Sequence, residues 1–185
     1  MRHRARVGWA LLALAAAIGR LRAAPPQAAA RPPAATQRLE RHFLQQAAAN
    51  LRLRSEASRL ASDRSENPAV RDLAERLLQW QDEVLPELLR LLDARAMAMP
   101  MRLSAHNKLL RRLARLRGAA FDRVYLDEVV LPACQADAAS YEVAAAQAAD
   151  PVLKAWARRQ LPELRGQIAQ AEQVQSAGMP RGGTV

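Results

Sequence analysis

Residues 118–172 read GAAFDRVYLDEVVLPACQADAASYEVAAAQAADPVLKAWARRQLPELRGQIAQAE and decide the fold of this chain. In the second half of the stretch, apolar residues recur at steps of three and four, which places them on one face of a helix. They are Leu153, Ala157, Leu161, Leu164, Ile168 and Ala171. Asp150 can cap this helix and Pro151 suits its first position, where no backbone donor is needed. The first half follows Gly118, which is predicted to cap the end of the preceding helix. The stretch therefore predicts two long helices that join at Asp150.

The remainder of the chain extends the helical pattern. A first helix is predicted over residues 36–64 with Thr36 as its cap, and a second begins at Pro68 after an Asn67 cap. The second helix carries a seam of the kind that bundles bury, made of Val70, Leu73, Leu77, Trp80, Val84, Leu88 and Leu91. Ser104 is predicted to cap a short basic helix that ends near Gly118. No alternating run of β-branched residues indicates a strand, so we predict an all-α antiparallel bundle of four long helices plus one short basic helix.

Several segments of the chain resemble one bacterial family. They are FDRVY at 121–125, DPVLKAWA at 150–157, LPELR at 161–165, FLQQAA at 43–48 and NPAVRDLA at 67–74. In order and spacing these segments resemble domain-of-unknown-function family 4142, an exported, ferritin-like helical family. The resemblance covers about residues 40–174 and implies a ferritin-like bundle.

The chain departs from the resemblance at positions that usually carry polar side chains. The resemblance implies histidines at three positions, which here are Gln81, Ala133 (or Cys134, if the register moves by one) and Gln167. An early family glutamate falls at Arg54, whereas Glu56 keeps the next one. The polar or metal-binding role of those histidines in relatives is therefore expected to be lost or altered in this chain.

The first 24 residues have the pattern of a secretory signal peptide. A basic head is followed by an apolar run over residues 7–19, which is short for a bilayer span. We predict a periplasmic protein without a transmembrane domain after cleavage, and an uncleaved inner-membrane anchor is the alternative. Residues 25–35 are predicted to form a Pro/Ala-rich linker, residues 36–175 the helical bundle domain, and residues 176–185 a disordered tail.

Charge and cysteine content narrow the classes of partner. The formal net charge is +10, but residues 1–24 hold five arginines and no acidic residue, so the mature value is 23 minus 18, or +5. A charge this small is weak support for nucleic-acid binding, and we predict no nucleic-acid partner. The single cysteine, Cys134, cannot form an internal disulfide. We interpret it as a small buried side chain, with an intermolecular disulfide or a reactive thiol as the alternative.

Metal-binding patterns are sparse. No Glu-x-x-His pair occurs, and after residue 24 the histidines are His42 and His106, so we predict no di-metal site and no cofactor. A methionine cluster offers soft ligands that suit Cu(I), with a nearby histidine. Its members are Met97, Met99, Met101 and His106. The competing interpretation is that these methionines pack against the bundle.

The short third helix carries the strongest cluster of positive charge. We predict that it binds an anionic partner through Lys108, Arg111, Arg112 and Arg115. The competing interpretation is a solvated charged face. If the first helix packs nearby, Arg52, Arg54 and Arg59 extend this surface.

No nucleophile elbow, phosphate-binding loop or Cys–His pair is present, so we assign no catalytic residue. The leading interpretation is a non-enzymatic periplasmic helical-bundle protein that acts in envelope interaction or stress, and that meets an anionic envelope component or a protein partner. The alternative is a periplasmic copper-handling protein that uses the methionine cluster. A third, weaker interpretation is a ferritin-like enzyme that has lost its metal. The sequence leaves the oligomeric state open.

Overall fold

A computed structural model describes residues 33–101 and 103–178 of the chain. These residues form five helices and no strand, which confirms the all-α prediction. The helices are α1 (Ala34–Arg64), α2 (Pro68–Asp93), α3 (Ser104–Leu113), α4 (residues 118–147) and α5 (Pro151–Gly178). The predicted signal peptide, most of the predicted linker and residues 179–185 lie outside the described residues. Helix α5 continues to Gly178, three residues beyond the predicted end of the bundle domain.

The caps that begin two helices follow the sequence pattern. The side chain of Asn67 accepts a hydrogen bond from the Ala69 amide at 3.0 Å, and the Asp150 carboxylate accepts one from the Val152 amide at 2.7 Å. Both satisfy amides that have no partner inside the helix. The caps predicted at Thr36 and Ser104 are wrong, because α1 already begins at Ala34 and Ser104 is itself the first residue of α3 without a side-chain cap.

Helix α4 is one continuous helix with a π-helical interior. The α-helical segments Gly118–Val124 and Leu131–Gln147 flank a π-helical segment, Tyr125–Val130. Pro132 lies two residues after this segment and has no amide hydrogen to donate. A π-helical turn contains about one residue more than an α-helical turn, so the positions of α4 that face the core shift by one residue after this segment. Gly118, predicted as the cap of the preceding helix, instead begins α4 with a φ of +54°, and α3 ends at Leu113.

Contacts between α1 and α4 fix the direction of the helices. Three side-chain contacts join α1 and its end to α4 and its end: Glu40 with Ala149, Arg54 with Asp137, and Ser65 with Asp122. As the residue number rises along α1, the number of its partner falls along α4. Helices α1 and α4 are therefore antiparallel. Short turns at residues 65–67 and 148–150 make α2 antiparallel to α1 and α5 antiparallel to α4. Because α2 and α4 both oppose α1, the connection over residues 94–117 must cross the length of the bundle.

Arginines of α1 hold this crossover connection in place. Three of them donate hydrogen bonds to its backbone carbonyl groups in the same order along both segments. The pairs are Arg41 with Arg95, Arg52 with Pro100, and Arg64 with Ala114, at 3.3, 3.3 and 2.7 Å. Helix α3 is the helical part of the crossover, and it packs on α1 through its buried Leu110 and Leu113.

The apolar interior forms two clusters, one towards each end of the bundle. One contains Phe43, whose ring lies 4.8 Å from that of Tyr141 and 6.0 Å from that of Trp156. The other contains Phe121 stacked on Tyr125. All described buried residues of both clusters lie between residues 40 and 174, so the core of the described part of the chain falls within this range. No described helix is both long enough and apolar enough to cross a bilayer.

Candidate functional site

A layer of polar side chains separates the two apolar clusters, and each long helix contributes to it. Its central members are buried, and we call them the polar layer: Arg54 from α1, Gln81 from α2, Cys134 and Asp137 from α4, and Gln167 from α5. Apart from Leu53 and Trp80, which directly adjoin the layer, the buried apolar residues on one side of it in each helix belong to one cluster and those on the other side to the second cluster. The layer therefore lies near the middle of the bundle.

An ion pair forms the centre of the polar layer. Nη2 of Arg54 lies 2.7 Å from Oδ2 of Asp137, and both side chains are 1% exposed. Asn50 donates a hydrogen bond to the other carboxylate oxygen at 2.6 Å. The guanidinium also lies over the ring of Trp80, 5.1 Å from its centroid. Burial raises the pKa of Asp137, against the lowering effect of Arg54 and Asn50.

The cysteine lies next to the arginine. Arg54 donates a hydrogen bond to the Cys134 sulfur at 3.2 Å, and the thiol lies 3.8 Å from the amide oxygen of Gln167. Burial raises the pKa of the Cys134 thiol, so the thiol stays protonated at neutral pH and is a weak nucleophile. For Arg54 burial acts to lower the pKa, but Asp137 and the cysteine sulfur hold it above its ordinary value and the guanidinium stays charged. The interpretation of Cys134 as a buried side chain is confirmed.

The polar layer also contains unsatisfied groups. Both amide atoms of Gln81, Nε of Arg54 and the indole nitrogen of Trp80 are buried and have no hydrogen-bond partner in the described part of the chain. Such groups cost stability, so a layer of this kind favours one helix register more than it adds to the free energy of folding. The side chains of the layer are at most 4% exposed, and Gln81 also lines a concavity with Arg52 and Arg59.

Sequence reasoning placed Arg54 in the wrong environment. It was a candidate for extending the basic surface, but it is buried, because it lies three residues after Leu51 and four before Ser58 on the inward stripe of α1. Asp137 lies on the equivalent stripe of α4, three residues after Cys134. The helical spacing would have identified both charges as inward-facing.

The positions singled out by the family resemblance converge in this layer. Gln81, Gln167 and Arg54 are all members, and of the two alternatives Ala133 and Cys134 it is Cys134 that bonds to the arginine. These positions lie on four helices and are spread over more than a hundred residues of sequence. These positions therefore form one buried polar site in the bundle. In this chain the site contains a guanidinium, two amides, a thiol and a carboxylate.

The second candidate is the basic surface, which lies outside the bundle core. Lys108, Arg111, Arg112 and Arg115 are exposed and together line one shallow concavity on α3. Arg111 also lines an adjoining concavity with Arg59 of α1, so α1 does extend the predicted surface. Arg59, Lys108, Arg111 and Arg115 have no ion-pair partner among residues 33–101 and 103–178. We call these four residues the basic surface.

Two neighbouring arginines are already engaged. Arg112 lies 2.5 Å from the carboxylate of Glu128, with both side chains exposed, so this pair contributes little to stability. Arg52 donates to the Pro100 carbonyl and pairs with Glu56 at 3.3 Å. Arg52 therefore fixes the crossover connection and contributes less than Arg59 to the free charge.

The methionines of the predicted copper cluster differ in environment. Met97 is buried in an apolar cluster, Met99 is half-buried against the same cluster, and Met101 is 88% exposed. His106 is half-buried in α3, where burial lowers its pKa. Packing explains the first two methionines, and no specific observation favours the copper alternative. The described residues also contain no group of three or more His, Cys, Asp or Glu side chains that is arranged to hold a metal ion.

Of the three comparisons with known proteins, one gives a match. A family model described as a domain of unknown function, DUF4142, matches residues 24–174. No curated protein and no solved structure matches the chain. The matched range includes the polar layer, the basic surface and the crossover connection.

Proposed function

This chain belongs to the DUF4142 family, and from this premise we propose a function. We propose that it is a non-enzymatic helical-bundle protein of the bacterial envelope that binds a polyanionic partner through its basic surface. The family description states no activity, so the proposal rests on this chain's own residues. The signal-like residues 1–24 support a periplasmic location. The single long crossover between α2 and α4 supports the ferritin-like interpretation, because ferritin-like bundles have one such connection.

The observation that carries this proposal is a group of unpaired cations. Some exposed arginines elsewhere on the bundle are paired, as in Arg159 with Glu87 at 3.1 Å and Arg165 with Glu142 at 2.7 Å, and others such as Arg76 and Arg158 lie apart on different helices. The four cations of the basic surface have no ion-pair partner within the described residues, and they are clustered, because they line two adjoining concavities that share Arg111. Clustered cations that are not neutralised raise the local concentration of anions and attract anionic surfaces.

The buried location of the polar layer supports the non-enzymatic part of the proposal. Its thiol is held protonated and its carboxylate is paired with Arg54, so neither group reaches a substrate from solvent. A binding protein needs no such group, because its affinity depends on surface charge and shape.

The test measures binding of residues 25–185 to polyphosphate chains at increasing salt. This segment contains the complete core described above. We expect binding that weakens with salt and that falls at least about tenfold in Arg59→Glu/Arg111→Glu/Arg115→Glu, since each cation near an anionic surface contributes about 1 kcal/mol.

A matched variant distinguishes the contribution of the basic surface to anion affinity from the effect of total net charge. Arg76→Glu/Arg90→Glu/Arg158→Glu reverses three exposed arginines on α2 and α5 and changes the total charge equally. We expect it to keep most of the affinity. Equal losses in the two variants would show that only net charge matters and would contradict the proposal.

A further inference from the structure

We propose that the anionic partner is a lipid bilayer, and that Met101 and Leu103 enter its headgroup region beside the basic surface. This inference rests on the proposed function, and it names the kind of partner that the surface meets. It is carried by two exposed apolar side chains at the start of α3 and by their continuity with the unpaired cations.

The crossover connection presents an apolar tip to solvent. Met101 is 88% exposed and Leu103 is 53% exposed. Of the large apolar side chains in the described part of the chain, Met101 is the most exposed. The preceding Met97 and Met99 pack on the bundle, and Arg52 donates a hydrogen bond to the Pro100 carbonyl. The backbone is therefore anchored immediately before the residue that points outward.

The apolar tip lies between two parts of the chain that line the same row of concavities, Met99 on one side and helix α3 on the other. Met99 lines one concavity together with Arg59, and Arg59 lines the next concavity together with Arg111. Arg111 in turn shares a third concavity with Lys108 and Arg115. Helix α3 starts at the residue after Leu103, and its ten residues span about 15 Å. Met101 thus lies two residues after Met99, and Leu103 lies directly before the helix that carries Lys108 and Arg111.

This combination suits a bilayer better than a soluble polyanion. Cations attract anionic headgroups, and apolar side chains gain free energy when they leave water for the acyl boundary just below those headgroups. A soluble polyanion offers the cations a partner but gives Met101 no apolar surroundings. Long arginine and lysine stems can also lie along an apolar boundary while their charges stay in the headgroup layer.

The experiment uses residues 25–185 and vesicles of phosphatidylcholine with or without phosphatidylglycerol. We expect binding to the anionic vesicles to be about tenfold weaker in Met101→Ser/Leu103→Ser, because part of the apolar area of two side chains is no longer transferred from water. Polyphosphate binding should be unchanged in this variant. The matched control is Leu89→Ser/Val152→Ser, which removes two exposed apolar side chains from α2 and α5 and should leave vesicle binding unchanged.

A direct probe reports insertion. Both tryptophans of this segment, Trp80 and Trp156, are buried, so a Met101→Trp side chain can be followed by its own emission. We expect a blue shift and quenching by brominated acyl chains in anionic vesicles. An unshifted, unquenched signal in bound protein would overturn the inference.

The outcomes separate the two proposals. If polyphosphate is bound with the expected charge dependence but anionic vesicles are not, the inference about the bilayer fails and the proposed function stands. Equal vesicle affinity in the wild type and in Met101→Ser/Leu103→Ser would also overturn the inference. If neither polyphosphate nor vesicles are bound in a way that depends on Arg59, Arg111 and Arg115, the proposed function fails as well.

Discussion

Arg54 and Arg59 lie five residues apart in α1, yet they have opposite environments. Arg54 is 1% exposed and is neutralised by Asp137 at 2.7 Å in the polar layer. Arg59 is exposed and lines a concavity that also contains Arg111, without an ion pair among the described residues. The same residue type on the same helix therefore belongs to the interior in one case and to the exposed basic surface in the other.

The difference shows that helical phase decides the role of a charge in this bundle. A step of five residues turns the side chain by about 140° around the helix axis, from the core to solvent. The buried charge must be paired because desolvation is costly, whereas the exposed charge can stay free at little cost. Stability should thus depend on Arg54 and anion binding on Arg59.

The largest expected effect comes from removing the buried cation. Arg54→Met should lower the free energy of unfolding by about 3–5 kcal/mol at pH 7, because Asp137 is left as an unpaired buried charge. Arg59→Met should change it by less than about 0.5 kcal/mol, since Arg59 lies at the surface. Urea unfolding of both variants measures the two values. Similar values would remove the distinction between the two arginines.

A double substitution sharpens the same comparison. Arg54→Met/Asp137→Leu removes both charges, so no unpaired charge stays buried, and it should regain most of the stability lost in Arg54→Met. A double variant as unstable as Arg54→Met would mean that packing, and not the unpaired carboxylate, causes the loss.

The second effect is a change in how the free energy of unfolding depends on pH. Arg54→Met removes a group that lowers the pKa of Asp137, while burial continues to raise it. A carboxyl group with a raised pKa binds its proton more tightly in the folded state, so its contribution to stability is greatest below the unfolded pKa of about 3.9 and is lost as pH rises through the folded pKa.

Arg54→Met should therefore recover stability relative to the wild type as pH falls from 7 towards 5. Below the pKa of Asp137 in the folded variant the gain is about 1.4 kcal/mol per pH unit, less any gain that the raised pKa of Asp137 gives the wild type over the same range. Urea unfolding across this pH range gives the measurement. A constant difference between the two proteins would contradict a neutralised Asp137 in the variant.

The third effect compares a buried with an exposed glutamate. Glu40 is buried, and its carboxylate accepts hydrogen bonds from the amides of Ala149 and Asp150 at 2.8 and 2.9 Å. Glu40→Leu leaves both amides without this acceptor and should cost about 1–3 kcal/mol. Glu142→Leu removes an exposed partner of Arg165 and should cost less than about 1 kcal/mol. Thermal unfolding of the two variants, recorded side by side, tests this order.

The smallest effect concerns the edge of the basic surface. Glu128→Gln frees Arg112 and should change stability by less than about 1 kcal/mol, because the pair is exposed. Polyphosphate affinity should rise by a few fold, since one more cation becomes available. Glu142→Gln frees Arg165 away from this surface and is the matched control. An equal rise in both variants would indicate a response to net charge alone.

Local sequence signals predicted most of the secondary structure. The Asn67 and Asp150 caps and the apolar seam of α2 act within one or two helical turns, so the residues themselves carry the information. The π-helical segment was not predicted, because it depends on how α4 accommodates Pro132 while keeping Tyr125 and Cys134 both buried. The basic cluster of α3 was predicted, but its continuity with Arg59 requires the crossover to lie along α1.

The sequence alone determined that this protein is an all-α bundle with a basic third helix, since periodicity, caps and charge clusters are local properties. Tertiary structure decided which charges are free. Arg54 finds Asp137 across 83 residues of sequence and Cys134 across 80, because α1 and α4 pack antiparallel in one particular register. A shift of one helical turn would separate these groups and leave two charges buried without partners, and this long-range pairing cannot be read from either helix by itself.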